Sequence, residues 1–229
     1  MQWKSGFLGV MMLLVCLMAA TPSGGSTYQL PAAADADVWL DSPTTNYGTN
    51  PTLAVRNFTG YGNRYPYLKF LLSAIPSGEV ITGATLHLAA YQVVNNNPTA
   101  LSLYHVSDDN WIESGITGIT WNQKPDYDPV ALADVTMAKA ETWWPSDVWV
   151  IWDLNEYDNW TPDTEGAAVS LLLMCPDPIS VDFVGKDSTG SIYRPYLEVT
   201  TSPVPLPGAA WLLGSGLLGL AGWRRLRKG

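Results

Sequence analysis

Residues 64–91 limit the possible folds more than any other stretch of this chain. They read as two β-type runs around a loop carrying Pro76, Ser77 and Gly78. The first run holds Tyr65, Tyr67, Leu68, Phe70 and Leu71. The second alternates, with Leu86 and Leu88 on one side and Thr85, His87 and Ala89 on the other. A period of two with one apolar face marks half-buried strands. The pair is expected to form a β-hairpin that organises the core. Pro66 lacks an amide hydrogen and suits an edge strand or a strand's first residues.

The rest of the chain repeats the pattern. Residues 36–40, 52–57, 101–106, 130–137, 147–154, 167–175, 179–185 and 196–200 all read as strands. Residues 27–34 read as a lead-in, 41–51 and 95–98 as turn-rich loops, and 155–160 as one helical turn. The segment 107–129 is long and irregular, and loops of that length are usually functional or packed by their own aromatics. About ten strands and almost no amphipathic helix predict an all-β fold: a single jelly-roll-like antiparallel β-sandwich.

The two ends differ from the middle. Residues 1–25 carry Lys4, an apolar run and then small residues, which is the pattern of a secretory signal peptide cut near Ala20. Residues 204–229 hold Val204, Pro205, Leu206 and Pro207, a glycine-rich apolar helix, and a basic end with Arg224 and Arg225. That order predicts a short membrane segment with its basic end inside. The fold proper is therefore assigned to 26–203, flanked by an N-terminal signal helix and a C-terminal hydrophobic helix. Five of the 12 basic residues lie in the ends and all 21 acidic residues lie between them, leaving the middle near −14. So acidic a domain has no basic face with which to displace counterions, which excludes a general nucleic-acid binder. Cys16 falls in the signal segment, so Cys175 has no partner for an internal disulfide and reads as a buried structural thiol.

Several phrases, in order, resemble the DNRLRE-domain family, also classed as carbohydrate-binding module family 96. They include Ala34-Asp35-Ala36-Asp37-Val38, Asn46-Tyr47-Gly48, Tyr67-Leu68-Lys69-Phe70 and Trp111-Ile112-Glu113. They continue with Ile119-Thr120-Trp121-Asn122-Gln123-Lys124-Pro125 and Arg194-Pro195-Tyr196-Leu197-Glu198-Val199-Thr200. The resemblance implies a β-jelly roll without catalytic activity, carried by exported proteins. The tail resembles the Val-Pro-Leu-Pro variant of PEP-CTERM sorting signals. That implies recognition by an exosortase after signal peptidase has acted, and delivery to the envelope, outer surface or matrix of a Gram-negative bacterium.

Candidate site residues follow from side-chain chemistry. Eight tryptophans lie in the middle domain. Sugars stack on exposed rings, and Trp143 and Trp144, beside Pro145, suit a platform, whereas Trp111, Trp121 and Trp149 read as core. Arg64, Lys69, Lys124 and Arg194 lie in or beside the family phrases and could pair with a uronic-acid carboxylate. Arg64 and Lys69 are expected to share one groove. Asp35, Asp37 and Asp41 could hold a structural calcium, but bonding of backbone amides by Asp35 and Asp37 at the strand entry is the preferred reading. His87 and His105 lack metal-ligand spacing. Asp108, Asp109 and Glu113 read as turn caps rather than a glycosidase pair. No nucleophile elbow, zincin motif or phosphate loop is present. The expected function is an exported, non-catalytic module that binds polysaccharide, including acidic polysaccharide, or helps build an exopolysaccharide matrix. The alternative is an adhesive surface protein that contacts protein partners.

Overall fold

A computed structural model describes residues 25–58, 62–94, 99–137, 141–143, 149–154, 168–176 and 178–203. The signal segment, the turn at 155–160, Trp144 and the sorting tail lie outside the described residues. Eleven strands are described: β1 (Ser26–Trp39), β2 (Thr52–Phe58), β3 (Gly62–Leu71), β4 (Glu79–Val94), β5 (Thr99–Val106), β6 (Ala131–Met137), β7 (Glu141–Trp143), β8 (Trp149–Asp153), β9 (Ala168–Met174), β10 (Ser180–Val184) and β11 (Tyr196–Pro203). The fold is an all-β sandwich, as the alternation predicts.

Two long strands belong to both sheets. The first half of β1 pairs with β11, and after a bulge at residues 32–34 its second half pairs with β3. The first half of β4 pairs with β11 and β8, and its second half with β10 and β7. One sheet is thus β1, β11, β4 and β8. The other starts at β1 and β3, then forks into β9-β5-β6 and β2-β10-β4-β7. Strands that switch sheets close two sides of the sandwich and reduce its exposed edges.

The expected hairpin does not form. β3 pairs with β1, β2 and β9, whereas β4 pairs with β11, β10, β8 and β7. The connection, through a 3₁₀ turn at Leu72–Ala74, carries the chain from one sheet to the other. Leu68 and Phe70 of β3 and Leu86 and Leu88 of β4 share the main core, all fully buried. Their apolar faces therefore meet across the core instead of lying side by side. β3 is also not an edge. Pro66 is tolerated there because β2 pairs only with residues 62–64 and β9 only with 67–71, so Pro66 falls between the two ladders. The lead-in at 27–34 is strand: Tyr28, Leu30 and Ala32 point to the core and alternate with exposed neighbours. At the centre, Trp152 donates its indole N–H to the Leu101 carbonyl at 3.0 Å.

One end of the sandwich is closed by a charge pair. Asp37, on β1, is fully buried. It accepts the Ala54 amide of β2 at 3.0 Å and the guanidinium of Arg64, on β3, at 2.6 Å. The guanidinium lies 5.0 Å from the Tyr47 ring centroid and 5.9 Å from that of Trp39. Burial pushes the Asp37 carboxyl up to about 6, against the pull of Arg64 and the Ala54 amide. Removing one partner of such a pair strands the other in a low-dielectric site. Arg64→Met is expected to cost about 3–5 kcal/mol in urea denaturation, and Asp37→Asn/Arg64→Met less than the single variant. A single variant within ~0.5 kcal/mol of wild type would show that the pair does not hold this end together.

Candidate functional site

The outer face of the β1-β3-β9-β5 layer is not left open. Segment 107–130 folds over it and seals a second cluster of Ala34, Ala36, Val38, Tyr67, Val106, Trp111, Ile119 and Leu172. Trp111 donates its indole N–H to Ser170 at 2.9 Å. Lys69 points out of β3 into this cover, donates to the Trp111 carbonyl and lies 4.4 Å from the Trp111 ring centroid.

Asn46 fastens the cover to the loop after β1. Its amide donates to the carbonyls of Glu113 at 2.7 Å and Ile119 at 2.8 Å. The Glu113 carboxylate accepts the Asp35 amide of β1 at 2.8 Å. Gly48 lies against the same turn, and a Cβ there would fall 1.8 Å from the Glu113 carbonyl oxygen. Only glycine lets the two backbones come this close.

Beyond the cover, the face opens into a cleft of about 460 Å³. Tyr65, Tyr67, Tyr104, Trp121 and Tyr127 line it, with Asn57, Asn63 and Lys124. Strands β3 and β5 supply Tyr65, Tyr67 and Tyr104, and the cover supplies Trp121, Lys124 and Tyr127. Tyr65 and Trp121 lie 5.8 Å apart with planes at 33°, and Tyr104 meets Tyr127 edge-on at 5.1 Å. Tyr67 is fully buried and donates its O–H to the Pro125 carbonyl at 3.0 Å, so it forms the floor. Lys124 lies 4.4 Å from the Trp121 ring centroid and donates to the Trp121 carbonyl at 3.2 Å. Asn57 donates to the carbonyls of Cys175 and Pro176. His105 holds the far end of the cover through Asp128 at 2.6 Å. Burial raises the phenols of Tyr65 and Tyr67, so both keep their protons. Among the described residues, the lining is rings, phenols, amides and one ammonium, completed by Leu172, Met174, Cys175 and Pro176, and it includes no carboxylate or imidazole. Such a cleft is built to hold a ligand by stacking and hydrogen bonding.

The family model for carbohydrate-binding module family 96 matches residues 26–201. The chain belongs to this family. No curated protein matches it. The matched span covers all eleven described strands except the last residues of β11, and it includes every residue of the cleft.

Within this family 96 module, the sequence-predicted residues scatter. Arg64 and Lys69 are an odd number of residues apart on one strand, so they face opposite sides of β3. Arg64 points into the sandwich end and Lys69 under the cover, and the groove they were expected to share does not exist. Lys124 does line the cleft. Arg194 is exposed on the loop before β11, where it donates to the Ser188 carbonyl at 3.2 Å. The backbone of Trp143 pairs opposite Gln92 in β7. Trp111 is core, but Trp121 is a wall of the cleft. Asp108 caps a turn by accepting from Asn110, and Glu113 ties the cover to β1. The tyrosines went unread because each strand or loop contributes one or two, and no local pattern joins them. The outward register of Tyr65 and Tyr67 was the one available signal.

Asp35, Asp37 and Asp41 are not gathered into one group. Asp37 is engaged by Arg64, and the carboxylates that do converge are those of Asp35, Glu113 and Asp187. The ammonium of Lys186 lies 3.1 Å from Glu113 and 2.9 Å from Asp187, so the group is met by a cation of the protein's own. Asp35 also accepts the Lys186 amide at 2.6 Å. Burial pushes the Asp35 carboxyl up to about 7, with the Lys186 amide pulling down and Glu113 adding to the rise. The folded state thus binds this proton more tightly than the unfolded chain. The resulting stabilisation is fully present below 3.8 and is lost as pH rises through about 7. Asp35→Asn keeps an acceptor for the amide and abolishes the titration. Relative to wild type, its unfolding free energy is expected to improve by more than ~1 kcal/mol between about pH 5 and about pH 8. A difference that stays constant with pH would refute the assignment.

Proposed function

We propose that this module binds a polysaccharide chain in the cleft and does not cleave it. The observation that carries the reading is the convergence of five aromatic side chains on one open cleft beside amides and an ammonium. The C–H faces of pyranose rings stack on aromatic planes, while sugar hydroxyls exchange hydrogen bonds with phenols and amides. Trp121 and Tyr127 stand on the cover and Tyr104 on the sheet, so a sugar ring entering the cleft meets aromatic surface on both sides. Lys124 is the basic residue of the lining and suits the carboxylate of an acidic sugar. Membership of a carbohydrate-binding family supports the same reading.

Tyr127 is 39% exposed, so its truncation removes ligand surface at little cost to the fold. Tyr127→Ala and Trp121→Ala are each expected to weaken binding about tenfold in calorimetry with the best oligosaccharide from a glycan array, a loss of ~1.4 kcal/mol. An array on residues 26–203 that finds no glycan at all would instead favour the reading of an adhesive surface protein with protein partners.

Export belongs to the same proposal. The signal-like segment before residue 26 supports passage through the inner membrane. The Val204-Pro205-Leu206-Pro207 motif, with its apolar stretch and Arg224 and Arg225, supports sorting to the envelope by an exosortase. Intact-mass measurement of the envelope form should show both ends removed, and retention of residues 1–25 would overturn the export step.

A further inference from the structure

The outside of the other sheet carries a second aromatic group that the cleft does not use. Alternation on β4, β8 and β11 sends Leu86, Val150, Trp152 and Leu197 inward to the core. It sends His87, Trp149, Ile151 and Tyr196 outward. His87 stacks on Tyr196 with ring centroids 4.4 Å apart and planes at 12°. Trp149 stands edge-on to both, at 6.2 Å from His87 and 5.3 Å from Tyr196. Tyr193, from the loop before β11, adds a fourth ring 5.9 Å from Trp149. The imidazole is fixed at both nitrogens, by the Tyr196 hydroxyl at 3.0 Å and the Thr85 hydroxyl at 2.9 Å. The rings are therefore held in place before any ligand arrives, which lowers the ordering cost of binding.

This face stays at the surface. The four rings are half-buried, Ile151 beside them is 46% exposed and Ile192 is 83% exposed. The flanking row is acidic: Glu198, which accepts from Gln29 at 3.2 Å, sits opposite Thr85, and Thr85 sits opposite Asp153. Arg194 lies at the rim. Carboxylates beside aromatic rings accept hydrogen bonds from sugar hydroxyls and repel anionic polymers. A second copy of this domain would bring the same acidic row, in a domain near −14 overall, to the same face. The charge thus selects against both an acidic polysaccharide and self-association.

We propose that the outer face of β4, β8 and β11, centred on Trp149 and Tyr196, is a second glycan-binding surface that takes neutral, hydroxyl-rich polysaccharide. It lies on the opposite side of the sandwich from the cleft, so the two surfaces can hold separate chains. The face stands whether or not the cleft binds sugar, and only bridging requires both.

Affinity electrophoresis of the full chain, in gels containing mixed-linkage β-glucan, galactomannan or alginate, tests this. Wild type is expected to be retarded by at least one of the two neutral polymers. A Trp121→Ala/Tyr127→Ala cleft variant should keep that retardation. Ile151 lies opposite His87 among the rings. Ile151→Glu therefore removes apolar stacking area there and sets a hydrated charge in the plane a sugar face must occupy, without emptying the core, and should raise the dissociation constant for the neutral polymer at least tenfold. Trp149→Ala should do the same, and the melting temperature of Ile151→Glu shows whether that loss is separate from unfolding. Retention of full affinity by a folded Ile151→Glu, loss of neutral binding in the cleft variant, or no neutral binding by wild type would each overturn the proposal. A cleft variant indistinguishable from wild type on every glycan, alongside a weakened Ile151→Glu, would instead remove the cleft reading and leave the second face standing.

Discussion

A single buried carboxylate ties together three strands at one end of the sandwich, where β3 is laddered to both β1 and β2 but β1 and β2 share no ladder. Asp37 lies on β1, takes the amide of Ala54 from β2 and pairs with Arg64 on β3. Burying an ionised group is costly unless charge and hydrogen bonds replace its water. Here both are supplied, and Tyr47 and Trp39 cover the guanidinium from the other side. The loop after β1 is drawn into the same arrangement through Tyr47. Its neighbours on either side, Asn46 and Gly48, then receive the cover over the second sheet. The position of the cover, and hence of Trp121, Lys124 and Tyr127 in the cleft, follows from how this end is closed.

That chain of contacts accounts for several family phrases at once. Ala34 to Val38, Asn46 to Gly48, Trp111 to Glu113 and Ile119 to Pro125 are far apart in sequence, yet they meet over β1. Asp35 and Glu113 exchange contacts there, Asn46 bridges Glu113 and Ile119, and Pro125 receives the Tyr67 hydroxyl. These residues anchor the cover. The ring surface that could meet a ligand is carried by Tyr65, Tyr104 and Tyr127, which lie outside the phrases, and by Trp121, which lies inside one. A recognisable scaffold therefore constrains the shape of the cleft more tightly than its specificity.

The fold class was legible in the sequence because a period of two reports directly which face of a strand is buried. It does not report the neighbour. Residues 64–91 were read correctly as two strands and wrongly as a hairpin, because an apolar face can be buried against a strand beside it or against a sheet across the core. Pro66 misled for a related reason: a proline is forbidden by a hydrogen-bonded partner, not by a central position, and β3 has a gap in its ladder there. The parity of Arg64 and Lys69 was countable and would have separated them. The tyrosine cleft was not countable, because β3, β5 and two parts of the cover contribute to it and only the tertiary fold brings them together.

Two of the four basic residues that looked like ligands in the sequence, Arg64 and Lys69, are consumed by the fold, as are the other basic residues Arg56 and Lys186. Arg56 pairs with Asp182, Arg64 with Asp37, and Lys186 with Glu113 and Asp187, while Lys69 serves the Trp111 carbonyl. In a domain this acidic, a positive charge is more strongly held by an internal carboxylate, where the dielectric is low, than by a ligand at the wet surface. What remains for recognition is ring area, amides and hydroxyls, with Lys124 in the cleft and Arg194 on the far side. On the reading proposed above, both aromatic surfaces hold sugar mainly by stacking and hydrogen bonding, while charge, from Lys124 in the cleft and from the acidic row on the far face, decides which polymers approach.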